Sequence, residues 1–404
     1  MADGDRDHSA EQPAAFGKRL YRFLTRVEVL AAVYIAILCA AFLLETRAHR
    51  NLFYVLGVPL FLLHLRSFDW RWLRDSVIAQ LALTYLGYFL LSALWSDGLT
   101  WQSITDLLRV SVLVLLFLVT TLQMGVRNPH FPDRLFLCYA VIAGVSLIVD
   151  FGAAAFGLLP FGERFTGVGL ATHPIIGATL YGVALLLSAF ALLPRATTWR
   201  LRLAWLAVIA LCAAFMVLSG SRGPLIALAA ALAVGFAIAH RRAAVLVLVL
   251  VVCGIGIGVL FNFQPVELLY QREQSGHFGI WQQVLAAIAE RPWFGYGSLA
   301  DMTFEVSTGS FRSPHNLPLA NQFYGGLPAT ILLAGLLLAA ARQSWRSARA
   351  GEPIYLVLLA FGLVASLFDT RSLVQNLGRE WITLWLPIAL LAAQEVPLRR
   401  ASPS

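Results

Sequence analysis

The chain has 404 residues, of which 59% are hydrophobic and 13% are charged, and its formal net charge is +8 at neutral pH. A soluble domain carries about 25% charged residues, so this composition excludes an ordinary soluble protein and indicates a membrane protein. The positive charge requires no nucleic-acid partner, because arginines beside anionic lipid headgroups explain it.

Residues 1–26 are polar and too mixed for a cleavable signal peptide, so we predict a cytoplasmic tail followed by an uncleaved signal anchor. The apolar runs behind this tail predict about twelve membrane-spanning helices, because only helices satisfy their own backbone groups in lipid. The predicted spans are Val29–Leu44, Leu52–Leu65, Val77–Trp95, Leu107–Val126, Leu135–Leu159, Ile175–Leu193, Leu203–Leu218, Gly223–Ala239, Ala243–Phe261, Phe323–Ala341, Ile354–Phe368 and Trp381–Ala393. The fold class is therefore an all-α polytopic membrane protein, with residues 1–404 in one integral membrane domain.

Basic residues alternate along these spans and predict the orientation of the chain. Twenty of the 30 basic residues lie in the N-terminal tail, in the even-numbered connections and after the last span. Because positive loops remain in the cytoplasm, both termini are expected there, and the odd-numbered connections are expected on the opposite face. The four cysteines fall inside predicted spans and are interpreted as packing residues.

The other ten arginines lie in or beside the odd-numbered connections, against this bias. They are Arg47, Arg50, Arg109, Arg164, Arg222, Arg272, Arg291, Arg312, Arg371 and Arg379. Anchoring to headgroups is one explanation, above all for Arg47 and Arg50. The other is a site for an anionic ligand at the outer leaflet, since the planar guanidinium donates two hydrogen bonds to a phosphate at once.

Two short outward segments carry such arginines. The first is Gly162–Gly169, which contains Arg164 and whose glycines would let the backbone approach a ligand closely. The second is the Ser219–Pro224 turn, in which Arg222 begins the eighth span beside helix-start amides that favour an anion. A snorkelling arginine in a simple turn is the alternative for Arg222.

The only long loop, residues 262–317, is the third segment, and loops of this length are usually functional. Ile280, Trp281, Val284, Leu285 and Ile288 form one apolar face and predict an interfacial helix that ends before Pro292. At the end of the loop, His315 is the candidate for proton chemistry near neutral pH, although a structural histidine is the alternative. Asp369, close to Arg371 in the next outward loop, could support this site. No cluster has metal-ligand spacing.

These motifs, in this order, resemble the O-antigen ligase and polymerase superfamily. The resemblance rests on Ser219–Pro224, the Ile280-Trp281 pair, Arg291-Pro292, Phe294–Gly297 and His315-Asn316, and it extends from about Arg164 to Trp385. It implies a GT-C-like membrane glycosyltransferase of the bacterial inner membrane that acts in the periplasm without a metal or other cofactor. The implied donor is an undecaprenyl-pyrophosphate-linked glycan.

The resemblance also implies roles for individual residues. His315 and Arg222 correspond to the catalytic pair, with Arg222 on the pyrophosphate, and Arg164, Asn316 and Arg371 are candidates for binding substrate. The family often has an arginine shortly before the Ile-Trp pair. This chain has Gly276-His277-Phe278 there, so either Arg272 or His277 is the candidate for that role.

Within the superfamily, the single modest outer loop favours a ligase that joins the glycan to lipid A–core with inversion at the anomeric carbon. The alternatives are an O-antigen polymerase, a protein O-oligosaccharyltransferase and a transporter of lipid-linked saccharides. A transporter would be expected to hold charged residues near the middle of its spans, and most of these span interiors contain none.

Overall fold

A computed structural model describes residues 19, 21–159, 164–238, 245, 248–253, 256, 277–306 and 309–396. Most of these residues are helical. The helices are α1 (Val27–Cys39), α2 (Thr46–Leu52), α3 (Val58–His64), α4 (Trp72–Asp75), α5 (Val77–Leu91), α6 (Trp101–Arg127), α7 (Phe131–Ala155), α8 (Pro174–Leu187), α9 (Trp199–Leu218), α10 (Arg222–Ile238), α11 (His277–Glu290), α12 (Leu317–Arg349), α13 (Ile354–Asp369) and α14 (Leu386–Glu395).

Short π-helical segments continue three of these helices. Phe53–Gly57 joins α2 to α3, Ser188–Leu192 follows α8, and Trp381–Trp385 leads into α14. Eleven of the twelve predicted spans therefore coincide with helix in the described residues, while the ninth, Ala243–Phe261, lies mostly outside them. Six helices are both long and apolar enough to cross a membrane, and four shorter ones are apolar. The chain is a multi-pass membrane protein, as predicted, and the number of twelve spans stays a prediction.

The long loop departs from the all-α prediction in one place. Strands β1 (Phe304–Val306) and β2 (Gly309–Phe311) form an antiparallel hairpin in which Phe304 pairs with Phe311. The predicted loop helix is present as α11. Val284 is fully buried, whereas Leu285 is 54% exposed, because α11 packs against α12 and β1 along a narrow stripe.

The bundle has two unlike ends. We call the first end the turn end. There α6 and α12 end in turns of a few residues that lead into the next helix, and α9 begins. Polar side chains find partners across this end: Ser76 pairs with Glu395, Arg195 with Asp133 and Ser347 with Gln394, while the Gln123 amide bonds the backbone of Asp69. The described helices α1 and α14 begin and end here, so both outer termini of the bundle lie at one end.

At the opposite end, which we call the loop end, several connections are long, the turn at residues 219–221 is short, and α12 is broken close to its start. Gly326 has a left-handed φ of 63°, and a Cβ there would lie 2.3 Å from the carbonyl oxygen of Trp293. The break is filled by the loop that precedes α12. Tyr296 N donates to Phe323 O at 2.8 Å, and Leu327 N donates to Trp293 O at 3.0 Å. Because lipid offers no hydrogen bonds, a broken helix at membrane depth requires partners of this kind.

Candidate functional site

His315 occupies the residue before the N-cap of α12, in a strained conformation. Its φ of 50° is the only positive value of a non-glycine residue in the described chain. Such a conformation persists where the surroundings impose it, and it is enriched at functional sites. Here Ser313 Oγ accepts from His315 N at 3.1 Å, and the Trp281 indole N–H donates to Pro314 O at 2.8 Å. The loop helix α11 thus fixes the backbone that presents His315.

The imidazole of His315 lies against a carboxylate from α13. Its Nδ1 is 2.8 Å from Asp369 Oδ1, and the two side chains are 32% and 19% exposed. The second oxygen of Asp369 accepts from Arg379, which is 13% exposed and also donates to Glu380 Oε1 at 2.9 Å. Asp369 therefore connects a partly exposed histidine to a nearly buried ion-pair network, which fixes the orientation of the ring.

Arg164 is bound to the Ser219–Pro224 turn. Its Nε donates to Ser219 O at 2.8 Å and its terminal nitrogen donates to Ser221 Oγ at 2.7 Å. The neighbouring Phe165 is fully buried and stacks on Phe151 with ring centroids 4.9 Å apart. The apolar anchor and the two hydrogen bonds hold the guanidinium of Arg164 next to the turn that carries Arg222.

These groups meet at a cavity of about 280 Å³ between α10 and α13. We call it the arginine cavity, because Arg164, Arg222 and Arg379 line it together with Asp369 and Thr370. Asp369 and Glu380 offset the charge of Arg379, so Arg164 and Arg222 supply the net positive charge. Fixed guanidinium groups and the start of α10 are a favourable environment for a phosphate-like anion.

A second histidine lies near the same charges. His173 caps the start of α8 and is exposed, yet its pKa is lowered. Partial burial is the largest cause of the lower pKa, the guanidinium groups of Arg379 and Arg164 lower it further, and Asp369 opposes them. His173 therefore favours its neutral form at neutral pH, beside an arginine-rich cavity.

The structure brings some of the predicted site residues together and separates others. Arg164, Arg222 and, through Asp369, His315 share the arginine cavity. Arg371 lines a neighbouring cavity of about 500 Å³ and donates to the hydroxyl of Tyr324 at 3.2 Å. Asn316 is the N-cap of α12, where its Oδ1 accepts from Leu319 N and its amide donates to Leu367 O.

Both ends of the Asn316 side chain thus contact the protein backbone, and a role for it in binding substrate stays a prediction. Two further predicted residues cannot be located. Arg272 lies outside the described residues, and His277 begins α11 with a side chain that is outside them.

Gly167 and Gly169, the described glycines near Arg164, make room for the protein itself, whereas the sequence suggested room for a ligand. A Cβ on Gly167 would lie 2.2 Å from Asp150 Oδ2, and one on Gly169 would lie 2.7 Å from Ala41 O. Asp150 in turn accepts from Val168 N at 3.1 Å. This segment therefore packs tightly against α7 and the end of the first span. Arg164 is the residue of this segment that lines the arginine cavity.

Sequence reasoning undervalued Asp369 and gave no site role to Arg379 or His173. An arginine in an outward loop was the only signal for Arg379, and nine other arginines shared it. The pairing of Asp369 with His315 spans 54 positions in the chain. Only the packing of α12 against α13 brings the two side chains into contact.

The fold and site define a multi-pass membrane protein with an arginine-lined cavity, and the carboxylate of Asp369 at this cavity also contacts His315. Residues 205–334 match the family described as O-antigen ligase. A Pseudomonas aeruginosa protein named O-antigen ligase is 28% identical over 388 residues, which are 93% of this chain and 92% of that protein. The resemblance to the O-antigen ligase family that the motifs indicated is therefore confirmed. The matched segment includes Arg222, His315 and the break in α12.

Proposed function

We propose that this chain transfers a glycan from undecaprenyl pyrophosphate to a sugar hydroxyl of lipid A–core, as an inverting O-antigen ligase of the inner membrane. The observation that carries the proposal is the contact of His315 with Asp369, directly beside the arginine cavity. This contact supports a general base at His315 beside a binding site for pyrophosphate. The similarity to the P. aeruginosa O-antigen ligase supports the same reaction class.

His315 is the general base in this mechanism. A carboxylate at Nδ1 favours the tautomer in which Nδ1 carries the proton, and Nε2 then accepts a proton from the acceptor hydroxyl. The hydroxyl oxygen forms its bond to the anomeric carbon while the bond from that carbon to the pyrophosphate oxygen breaks. The proton resides on His315 and is released later to the solvent. A single displacement of this kind inverts the anomeric centre.

The leaving group is undecaprenyl pyrophosphate, whose charge increases as the bond breaks. Arg222 and Arg164 would contact it, since both line the cavity and Arg164 is already held by Ser219 and Ser221. Preorganised donors stabilise the developing charge without reorganisation during the reaction. This mechanism assigns no step to a metal or another cofactor.

The membrane orientation follows from charge. The turn end carries the arginines of the even-numbered connections, so we propose that it faces the cytoplasm and that the loop end, with its two polar cavities, faces the periplasm. Both substrates would then reach the site from the outer leaflet, where being held in one membrane raises their effective concentration.

A deletion strain tests the function through its lipopolysaccharide. We expect core without O-antigen together with accumulated lipid-linked polymer, and recovery when the gene is supplied in trans. Core that carries a single repeat would indicate a polymerase instead. Unchanged lipopolysaccharide with altered glycoproteins would indicate a protein O-oligosaccharyltransferase.

A further inference from the structure

The cavity that contains Arg371 has properties that the mechanism above does not use. We call it the amide cavity, because Gln375 and Asn376 line it. Gln375 Nε2, Asn376 Oδ1 and Ser298 Oγ are buried and have no hydrogen-bond partner among the described residues. Buried polar atoms are nearly always paired in native proteins, with protein, ordered water or a ligand, so three such atoms around a single cavity indicate polar partners inside it.

The loop that carries these groups is rigidly held from behind. Trp381 and Trp385 are fully buried, and their indole N–H groups donate to Gln375 O and Leu373 O, both at 2.9 Å. Leu373 is also fully buried. The lack of hydrogen-bond partners at Gln375 and Asn376 in the described chain therefore does not result from a poorly packed loop. Their backbone is fixed, and this lowers the entropy cost of binding a ligand.

The amide cavity and the arginine cavity share a wall. Asp369 and Thr370 line the arginine cavity, whereas the next two residues, Arg371 and Ser372, line the amide cavity. A molecule in the amide cavity would thus be separated from the partner of His315 by one or two residues of chain. This is the position that a second substrate requires.

We infer that the amide cavity binds the acceptor saccharide, an inference that rests on the proposed transferase function. Its volume of about 500 Å³ is within the range of roughly 300–1,000 Å³ of small-molecule sites. Amide side chains both donate and accept hydrogen bonds, as sugar hydroxyls do. Arg371 is exposed at the cavity and adds a cation for an acidic substituent on the sugar, while Arg109 is paired with Asp106.

Steady-state kinetics with purified full-length protein test this assignment. In the double variant Gln375→Ala, Asn376→Ala, we expect the KM for lipid A–core to rise about tenfold, the value for two lost hydrogen bonds, with the KM for the donor unchanged. Gln102→Ala is the matched control, because Gln102 is exposed at the start of α6 and does not line the cavity. A rise in the donor KM instead would assign the cavity to the donor glycan and overturn the inference.

A binding measurement separates this inference from the proposed function. The probe is the lipid-free core oligosaccharide, titrated calorimetrically into the wild type, Arg222→Ala and the double variant. We expect equal affinity for the first two proteins and about tenfold weaker binding by the third. Equal binding by all three proteins contradicts the inference. If the wild type binds the oligosaccharide but transfers no glycan, the proposed function fails while the saccharide site stands.

Should the double variant fail to accumulate, Ser298→Ala tests the same cavity from a different loop. It removes one hydroxyl that has no protein partner in the described chain, so folding should be unaffected. We expect a smaller rise in the acceptor KM, of about two- to fivefold. An unchanged acceptor KM in this variant contradicts the inference.

Discussion

The two ends of the bundle satisfy their polar groups in different ways. At the turn end, charged side chains pair locally, as Arg195 does with Asp133 at 2.5 Å, and the cavity found there holds only about 20 Å³ among apolar side chains. At the loop end lie two large polar cavities and the three unpaired atoms of the amide cavity. Eight of the nine described residues with positive φ also lie there, with Gly351 as the exception at the turn end.

The difference shows where the fold tolerates strain. Short turns and paired charges suffice to join helices, and the turn end contains little else. Strained backbone and unpaired buried groups reduce stability, so they persist where a function requires them. Most of the described residues with positive φ and both polar cavities lie at the loop end, which agrees with the proposal that the chemistry takes place there.

The largest effect is expected for reporters fused to the two ends of the bundle, because these ends are predicted to face different compartments. Reporter fusions at Ala350, at the turn end, and at Ser310, in β2, are expected to report opposite compartments, because alternating charge orients the bundle. Alkaline phosphatase should be active only at Ser310, and a fluorescent protein only at Ala350. The same compartment for both fusions would contradict the topology.

Arginines at the two ends should respond differently to removal. Arg222→Ala is expected to abolish glycan transfer, and Arg222→Lys to recover little of it, because a point charge lacks the bidentate guanidinium. Arg195→Ala is the matched control at the turn end, where the side chain is half exposed and paired, and it should retain activity. Transfer is measured in membranes at equal expression. Full activity of Arg222→Ala would reduce that residue to a membrane anchor.

Histidines should show the same contrast. His315→Ala is expected to lower the transfer rate by about 10²–10⁴-fold, the usual cost of removing a positioned base, while binding of the donor is retained. His130→Ala, at an exposed position of the turn end, should have no effect. Transfer at the wild-type rate by purified His315→Ala would move the base elsewhere, with His277 as the next candidate.

Asp369→Asn extends this test, since it keeps the size of the side chain but not its charge. A loss of about 10–100-fold is expected, which is the range for partners that orient metal-bound histidines. Recovery in Asp369→Glu would support an orienting role.

A smaller effect is expected on stability, within α12 itself. Gly326→Ala should lower the free energy of unfolding by at least about 1–3 kcal/mol, because the φ of 63° and the nearby Trp293 carbonyl exclude a side chain. Gly335→Ala, in the regular part of the helix, should be neutral or stabilising by up to about 1 kcal/mol. Unfolding midpoints in detergent give the comparison. Equal midpoints for the two variants would show that the break is not required.

The sequence predicted the helical segments well, because the lipid environment imposes long apolar runs that can be read locally. The motifs that carry the resemblance could be recognised for the same reason, since they are short and contiguous, and the roles of Arg222 and His315 within them stay predictions. The β-hairpin was missed because its two strands have three residues each and no alternation long enough to detect.

What the sequence alone determined was thus the class of protein, its apolar helical segments and a set of arginines and histidines with unexplained positions. The tertiary structure decided which of these residues act together. Asp369 reaches His315 across 54 residues, Arg164 reaches Ser221 across 57, and Arg371 lines a different cavity from Arg222. Such pairings depend on how helices pack against one another, and helix packing is set by many weak contacts between distant residues rather than by any local pattern.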